Sequence, residues 1–555
     1  MNPADTQSQE FEELDLRFAD FIARFAPAHA ASTVSNTAAT LSAHMRAGHT
    51  CLHLPSLPNP PAAEILLQCK AIGGPDPAGT QPLVLDGPRL YLRRYWTYEQ
   101  QLAHAILQRC SGDAPPALED RQQQAVEAAT LRRFLVVSGG PGTGKTTTVL
   151  RILARLLSQR PQLRVALCAP TGKAAARLQT SIREGAAREQ LTIPLPESAS
   201  TIHRLLGSIH NSPAFRHNAA HPLPVDLLVV DEASMVPLPL MAKLLDALAP
   251  DASILLLGDR DQLASVEPGS VLGDIAIAAT THGSALSGSM VTLEKNYRFG
   301  NESPIYALCQ SIRTGSHADA LEMLRSASEQ DGTIRSIQIP APKALAASLR
   351  GPIVEGFRTV LTAPNADAAL EAFTQFRVLC ALRSGPYGVE QLNTLITRIL
   401  REEDLLPPAT PHRSITEGDV EPIHGLPFLI QENDSQLGLF NGDIGIFWKS
   451  GDAAPMACFA SNGETPSQVS PARLPKHEPA FAMTVHKSQG SEFDNVLLIL
   501  PDQPSPVLTR ELVYTGITRA RRSVEIWHSP DVLRDAIAAT IHRDSGLADA
   551  LLRAP

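Results

Sequence analysis

The chain has 555 residues, a formal net charge of −9 and 43% hydrophobic residues. This length exceeds what one hydrophobic core supports, so we expect roughly three or four domains. The acidic balance disfavours a protein that simply coats nucleic acid, although a motor could still grip a strand in a local basic channel. No apolar run approaches ~18 residues, so we expect no membrane-spanning helix and no membrane partner. The seven cysteines stand singly without any CxxC spacing, which indicates neither a zinc site nor disulfides and fits a cytoplasmic location.

Residues 1–112 carry no chemical motif, and their apolar spacing predicts a small helical domain. Its predicted elements are helices over Glu10–Phe25, Thr37–Ala47 and Trp96–Leu107 and a hairpin over Leu83–Leu92. We expect a docking or scaffolding role for this domain. A plain core-forming domain without a partner is about as consistent with the residues alone.

A linker is predicted over Gly112–Leu118, and a helix begins after Asp120. The amide of a glutamine just upstream of a phosphate loop can both donate to and accept from an adenine edge. Gln122 is the candidate by register, with Gln123 and Gln124 as alternatives.

The strongest motif is a buried strand, Phe134–Val137, followed by a glycine-rich loop and a helix start. The loop fits the phosphate-loop pattern G-x-x-x-x-G-K-[ST], whose glycines let backbone N–H groups close on a polyphosphate. Lys145 would supply positive charge to the β- and γ-phosphates, and the Thr146 hydroxyl would bind Mg²⁺. The predicted nucleotide-binding residues here are Gly139, Gly140, Pro141, Gly142, Thr143, Gly144, Lys145, Thr146 and Thr147.

Two further strands end in polar residues. After Val165–Cys168, Thr171 stands at a helix N-terminus that could hold a phosphate. His203, further on, is by itself more typical of a structural histidine. The apolar run Leu227–Val230 ends in Asp231 and Glu232, which could hold Mg²⁺ through water and polarise the attacking water.

A fourth strand, in Ser253–Leu263, ends in a turn where Gln262 or Asp259 could sense the γ-phosphate. Arg298, in LEKNYRF, could reach charge on a nucleotide of a neighbouring domain. Residues 303–361 are predicted to be helical.

The second half returns to strands with polar ends. Phe376–Leu382 is a predicted strand, and the hairpin signal Asn441-Gly442-Asp443 indicates a small β-barrel insert. The polar run before Val496–Leu500 includes Thr484 and His486. The last motif clusters Arg519, Arg521 and Arg522, and one arginine at an inter-domain cleft would complete a nucleotide site.

These patterns predict an α/β protein with two RecA-like P-loop NTPase domains, whose parallel sheets are flanked by helices. The predicted parts are an N-terminal helical domain over 1–112, a first RecA-like domain over 113–290, a second over 291–399 and 481–555, and a β-barrel-like insert over 400–480.

Seven ordered motifs carry a resemblance to a known family. GGPGTGKTTT, LCAPTGKAAARL, VVDEAS, LGDRDQL, NYRF, AMTVHKSQGSEF and VYTGITRAR resemble those of superfamily 1 helicases. Together with the segments FRVLCALRSGPYGVEQLN and LGLFNGDIGI, these motif sequences are similar to those of the RecD family of RecBCD-type exonuclease V complexes. The resemblance runs from about Asp120 to Trp527. It departs at Gly516, where many members have Ala, and in lacking an obvious pin-bearing insert.

The resemblance implies an ATP- and Mg²⁺-dependent motor that moves 5′→3′ on single-stranded DNA, in a heterotrimer with RecB- and RecC-like subunits. It implies the catalytic residues Lys145, Glu232, Gln262, Arg298 and Arg519, with both arginines reaching the nucleotide from the second domain. It implies that Gln122 binds adenine and that Thr146 and Asp231 hold Mg²⁺. It implies DNA contacts by Thr171, His203, Thr484 and His486.

Three other functions compete with this one. A nuclease is disfavoured because no lysine follows an Asp or Glu by two positions, so the D/E-x-K signature is absent. A non-catalytic assembly subunit is disfavoured by the intact phosphate loop. A stand-alone helicase without RecB- and RecC-like partners is the main alternative.

Overall fold

The structure of the chain is a computed structural model. It describes residues 11–110, 115, 118–191, 193–209, 212–298, 303–327, 332–408, 421–434, 436–451, 453–460 and 468–553. The predicted boundary at 112/113 and most of the predicted linker lie outside the described residues. Within them, no helix is both long and apolar enough to cross a membrane.

The N-terminal region combines helices with a small sheet. Its elements are α1 (Glu13–Ala23), α2 (Ala28–Arg46), β1 (Cys51–His53), α3 (Ala63–Leu66), β2 (Ile72–Gly73), β3 (Leu83–Asp86), β4 (Arg89–Leu92) and α4 (Arg93–Arg109). The strands lie in the order β1-β4-β3-β2, and β3 and β4 form the predicted antiparallel hairpin. The domain predicted to be helical with one hairpin is therefore mixed, because β1 and β2 extend that hairpin to a four-stranded sheet. Apolar side chains of β1, β3 and β4 share a core with α2, and the sheet pairs their backbones.

The next region is a parallel sheet with helices on its faces. Its elements are α5 (Arg121–Leu131), β5 (Phe134–Gly139), α6 (Lys145–Gln159), β6 (Val165–Ala169), α7 (Gly172–Arg188), β7 (Ala199–Thr201), α8 (Ile202–Leu206), β8 (Leu227–Val230), α9 (Leu238–Asp246), β9 (Ser253–Gly258), α10 (Val271–Thr280) and β10 (Met290–Leu293). The strand order is β10-β5-β9-β8-β6-β7, and every pair is parallel. β5 is buried along its whole length, as expected for a central strand covered on both faces.

β10 corrects one predicted boundary. Met290–Leu293 pairs in parallel with β5, so the first domain extends through residue 293 instead of ending at 290. Only two of the four residues of this short strand are buried, and its sequence gave no clear strand signal. Its pairing with β5 is what places it in the first sheet.

The remainder of the chain contains a second parallel sheet. Its elements are α11 (Pro304–Thr314), α12 (His317–Ala327), β11 (Ile334–Gln338), α13 (Leu345–Leu361), α14 (Ala366–Ala372), β12 (Phe376–Cys380), α15 (Val389–Glu402), β13 (Pro427–Ile430), β14 (Ile444–Trp448), β15 (Met456–Phe459), β16 (Gln468–Val469), β17 (His477–Pro479), β18 (Ala482–Thr484), β19 (Phe493–Ile499), α16 (Arg510–Ile517), β20 (Ala520–His528), α17 (Pro530–Ala538) and α18 (Leu547–Leu552). The parallel order is β11-β20-β19-β12-β18. The prediction of helix throughout 303–361 missed β11, an edge strand with only Ile334 fully buried.

The insert between α15 and β18 is an antiparallel sheet. Its order β16-β15-β14-β13-β17 leaves β16 and β17 unpaired with each other in the described part of the chain, so the predicted barrel is not confirmed. Phe428 and Phe447 stack with ring centroids 4.4 Å apart at its core. That core is continuous with the second parallel sheet through residues such as Phe481.

The last residues do not belong to the second domain, which corrects the predicted span 481–555. Leu547, Ala550 and Leu551 of α18 are buried in the core of the first domain, against α10 and α4. We call residues 541–553 the C-terminal segment. This segment packs against α4 and α10 because the apolar face of α18 would otherwise be exposed to solvent.

Candidate nucleotide-binding and motor site

The phosphate loop leaves β5 and enters α6 within a few residues. Gly142 and Gly144 have φ of +80° and +84°, a left-handed backbone that favours glycine. Nζ of Lys145 donates to the carbonyl oxygens of Gly139 at 2.6 Å and Gly140 at 3.1 Å. Thr146 and Thr147 follow in the first turn of α6, whose dipole and free N–H groups favour an anion at this end. The loop therefore has the chemistry of a polyphosphate site.

Only one of the three candidate glutamines faces this loop. A Cβ on Gly144 would lie 2.5 Å from Nε2 of Gln122, and Oε1 of Gln122 accepts from Arg151 at 3.0 Å. Gln123 instead donates to Glu127, and Gln124 accepts from Arg121, both in exposed pairs. The register argument for Gln122 agrees with this placement.

Asp231 and Glu232 emerge from the carboxyl end of β8. Burial and the adjacent Glu232 raise the pKa of Asp231 to about 6, against the opposing effect of Lys145. Glu232 has a φ of +51°, and its N–H donates to Oδ1 of Asp231 at 2.9 Å. A non-glycine residue in this backbone region is strained, and such strain concentrates at functional sites. The hydroxyl of Thr146 and this carboxylate are the oxygen ligands that Mg²⁺ prefers, so the donor set fits the ion.

Gln262 lies at the contact between the two domains. Its Nε2 donates to Oδ2 of Asp259 at 3.1 Å, and the same carboxylate oxygen accepts from the Tyr514 hydroxyl at 3.1 Å. One residue on, the N–H of Leu263 donates to Thr515 Oγ1 at 3.0 Å and its carbonyl accepts from Gln489 at 2.9 Å. The turn that holds Gln262 is thus hydrogen-bonded to two motifs of the second domain.

Arg298 is held against the phosphate loop by its own backbone segment. Asn296 donates to the carbonyl of Pro141 at 2.9 Å, and the N–H of Tyr297 donates to the carbonyl of Gly142 at 2.8 Å. A Cβ on Gly142 would clash with Cβ of Arg298 at 2.5 Å. The expectation that Arg298 comes from the second domain is wrong, because it follows β10 in the connection between the domains.

Glu492 gathers arginines from three separate parts of the chain, and we call this group the Glu492 cluster. It accepts from Arg298 at 2.7 Å and Arg521 at 3.2 Å, and it is paired with Arg177. Its side chain is only 6% exposed, and these arginines hold its pKa at about 2 despite its burial. Glu492 lies inside the motif AMTVHKSQGSEF, but no sequence signal marked it, because its partners are up to 315 residues away.

Arg519 is 2% exposed and hydrogen-bonded within the second domain. It donates to the carbonyl oxygens of Thr515 at 3.1 Å and Ser491 at 3.2 Å. Burial lowers its pKa, and the carboxylates of Glu232 and Glu492 oppose that effect. Ser491 directly precedes Glu492, which binds Arg298, so the hydrogen bond to Ser491 places Arg519 beside the Glu492 cluster. The structure therefore brings Arg519 to the same cleft as Arg298.

The four predicted DNA-contact residues are only partly brought together. The Thr171 hydroxyl caps α7 by accepting from the N–H of Ala174 at 3.2 Å, and a Cβ on Gly490 would lie 3.9 Å from it. Thr484 accepts from the N–H of Lys487 at 3.3 Å, and His486 is half-buried beside it. His203 lies on α8 with its ring against Phe215.

Two domains, each built on a parallel sheet, contact each other beside the phosphate loop. This architecture defines a P-loop NTPase of the helicase type. Three family profiles match the chain: an AAA domain over residues 122–268, a UvrD-like helicase C-terminal domain over 479–526, and the N-terminal domain of RecBCD enzyme subunit RecD over 7–65. The RecBCD enzyme subunit RecD of Mycobacterium tuberculosis is 38% identical, over 91% of this chain and 88% of that protein. The chain belongs to the RecD family.

Other members support the same placement. The RecBCD enzyme subunit RecD of Haemophilus influenzae is 36% identical over 78% of this chain and 72% of that protein. The ATP-dependent RecD2 DNA helicase of Deinococcus radiodurans is 34% identical over 74% of this chain but only 48% of its own length.

Proposed function

We propose that this chain is an ATP-dependent 5′→3′ translocase and helicase on single-stranded DNA. It serves as a motor subunit of a RecBCD-type helicase–nuclease that processes double-strand DNA ends for recombinational repair. The observation that carries the motor assignment is the position of Arg298. The two residues before it, Asn296 and Tyr297, are hydrogen-bonded to the phosphate loop, and its guanidinium is bound to Glu492 of the second domain.

This arrangement couples the nucleotide to domain position. Lys145 turns from its loop carbonyls to the β- and γ-phosphates. Thr146 and Asp231 would hold Mg²⁺, which would supply positive charge to the phosphates. Glu232 orients the attacking water, and Gln262 senses the γ-phosphate. Positioning and charge stabilisation of this kind supply most of the catalysis in phosphoryl transfer.

The arginines make the site responsive to hydrolysis. Arg298 and Arg519 stabilise charge on the γ-phosphate, and loss of that phosphate returns Arg298 fully to Glu492. The two sheets then shift relative to each other, and the bound strand advances by about one nucleotide per cycle.

A strand path across the two domains accompanies this motion. Thr171 on the first domain and Thr484 and His486 on the second contact the DNA backbone, with His203 further along. The approach of Gly490 to Thr171 supports a single path, because it places these motifs side by side.

RecB- and RecC-like subunits are the proposed partners, in a heterotrimer located in the cytoplasm. The support is an exposed apolar face on the N-terminal region, with Leu14 64% exposed and Phe21 52% exposed. Such a patch on a surface marks an interaction site. Co-purification with two larger subunits is expected; a chain that unwinds DNA fully and purifies alone from its own host would favour the stand-alone alternative.

The motor proposal is tested by Lys145→Gln, with Lys70→Gln as the control, since Lys70 is exposed and remote from the site. Lys145→Gln should abolish DNA-stimulated ATP hydrolysis and unwinding with the fold intact by circular dichroism. Lys70→Gln should match the parent chain. Unwinding should require a 5′ single-stranded overhang. Retained ATP hydrolysis in Lys145→Gln would contradict the assignment, and preference for a 3′ overhang would contradict the direction.

A further inference from the structure

A cluster of histidines joins the N-terminal region to the C-terminal segment. His44 lies in the last turn of α2 and His49 follows it, while His542 and Asp544 belong to the C-terminal segment. We call these four residues the histidine cluster. None of them has a role in the motor mechanism above.

The turn after α2 explains why two imidazoles lie side by side. Gly48 has a φ of +92°, its N–H donates to the carbonyl of Met45, and the N–H of His49 donates to the carbonyl of His44, both at 3.1 Å. This is the Schellman arrangement of a helix end, which folds the chain back over its last turn. The rings of His44 and His49 consequently lie 4.7 Å apart.

Asp544 completes the group from the opposite end of the chain. Its Oδ2 lies 3.6 Å from Nδ1 of His44 and 3.3 Å from Nδ1 of His49. The three ligand atoms all lie within 4.8 Å of one another. A tetrahedral zinc ion with bonds of about 2.0–2.1 Å has neighbouring ligands roughly 3.3–3.4 Å apart. The two aspartate–histidine spacings, 3.6 Å and 3.3 Å, are therefore close to those around one zinc ion.

The donor atoms are also in the chemical state that a metal requires. Nδ1 of His44 is buried and has no hydrogen-bond partner among the described residues. Nδ1 of His49 accepts from the N–H of Asp544 at 2.8 Å, so it carries a lone pair, which would turn from that N–H to a metal.

The geometry points to a zinc site formed by His44, His49 and Asp544. Two imidazoles and one carboxylate form a donor set that suits Zn²⁺ better than Mg²⁺ or Ca²⁺, which prefer oxygen ligands. Nε2 of His542 lies 3.0 Å from Oδ1 of Asp544, where it can orient the carboxylate or supply a fourth ligand. The cysteine spacing had argued against zinc in this chain, and this site uses none of the cysteines.

The site would fasten a segment that reaches the motor. Arg543, between two members of the cluster, donates to the carbonyl oxygens of Glu267 at 2.8 Å and Gly269 at 2.7 Å. Those residues follow the turn that contains Gln262. Zinc would thus fasten the C-terminal segment to the N-terminal region, while Arg543 fastens it to the first domain.

The test uses the full-length chain after chelator treatment, titrated with Zn²⁺ against a chromophoric competitor. The parent chain should bind one equivalent, and Zn²⁺ should raise its Tm and slow tryptic cleavage after Arg543. His44→Ala and His49→Ala should each weaken binding about tenfold or more. His282→Ala changes an exposed histidine outside the cluster and should bind like the parent.

Circular dichroism separates lost binding from lost folding, and His49→Gln provides a second, less disruptive variant. Absence of saturable binding in the folded parent chain would overturn the proposal. Equal affinity in the parent, His44→Ala and His49→Ala would overturn it as well, because the ion would then be bound elsewhere. A Tm that responds to Asp544→Asn but never to zinc would show a simple histidine–aspartate ion network instead.

Discussion

Replacing Glu492 with glutamine removes the one carboxylate that holds three arginines together at the inter-domain cleft. Glutamine keeps the size and one acceptor oxygen but cannot neutralise Arg177, Arg298 and Arg521. We expect Arg298 to lose its fixed position and the two domains to separate more readily. DNA-stimulated kcat for ATP hydrolysis should fall about tenfold or more, because a mispositioned arginine stabilises the transition state poorly.

The expected loss of folding stability follows from the charges around Glu492. Its pKa falls from 4.5 to about 2, and each pKa unit corresponds to about 1.4 kcal/mol, which gives ~3 kcal/mol in favour of the ionised form. Removing one partner of a buried ion pair costs about 3–5 kcal/mol in measured cases, which agrees in scale. The side chain is 6% exposed, so solvent screening is weak.

Steady-state ATP hydrolysis and thermal unfolding measure the two effects. Glu322→Gln is the control, since Glu322 pairs with Arg325 on the surface and both side chains are at least 70% exposed. Its removal should change stability by less than about 1 kcal/mol. Arg298→Gln should lower kcat as much as Glu492→Gln does, while Arg521→Gln should have a smaller effect. Unchanged kcat and Tm in Glu492→Gln would refute this reasoning.

Three further predictions concern nucleotide recognition and pH. Gln122→Ala should raise the KM for ATP several-fold with little change for GTP, whereas Gln123→Ala should leave both unchanged; equal effects on ATP and GTP in steady-state assays would argue against adenine recognition. The pKa of Asp231 is raised to about 6, so protonation of this carboxylate below that pH should weaken Mg²⁺ binding. ATP hydrolysis should therefore need more Mg²⁺ at pH 5.5 than at pH 7.5. An unchanged Mg²⁺ requirement would contradict a metal-binding role for Asp231. Burial, reinforced by Glu99, raises the pKa of Asp274 from 3.8 to about 8, so the folded state binds this proton more tightly than the unfolded state and stability is lost as pH rises between these values. Asp274→Asn should therefore raise the Tm at pH 8 and leave it nearly unchanged at pH 4. A larger rise in Tm at pH 4 than at pH 8 would show that the Asp274 carboxylate does not destabilise the fold when it is ionised.

The contiguous motifs were predictable because each is a strand, a short loop and a helix start within a few residues. The phosphate loop and the Asp231–Glu232 pair are of this kind, and both lie where parallel strands end. For the adenine-binding glutamine the sequence offered three neighbouring candidates, and helical register favoured Gln122. The sequence placed Arg298 in the second domain, whereas it follows β10 of the first sheet, because nothing local shows that β10 pairs with β5.

The amino-acid sequence by itself determined the phosphate loop, the acidic pair and the two groups of parallel strands, because these depend on backbone conformation and apolar patterning over short stretches. Only the tertiary structure decided the Glu492 cluster, the histidine cluster and the return of α18 to the first domain. Each of these joins parts of the chain that lie hundreds of residues apart, and a charge or a lone pair acts over a few ångströms of space, whatever the separation along the chain.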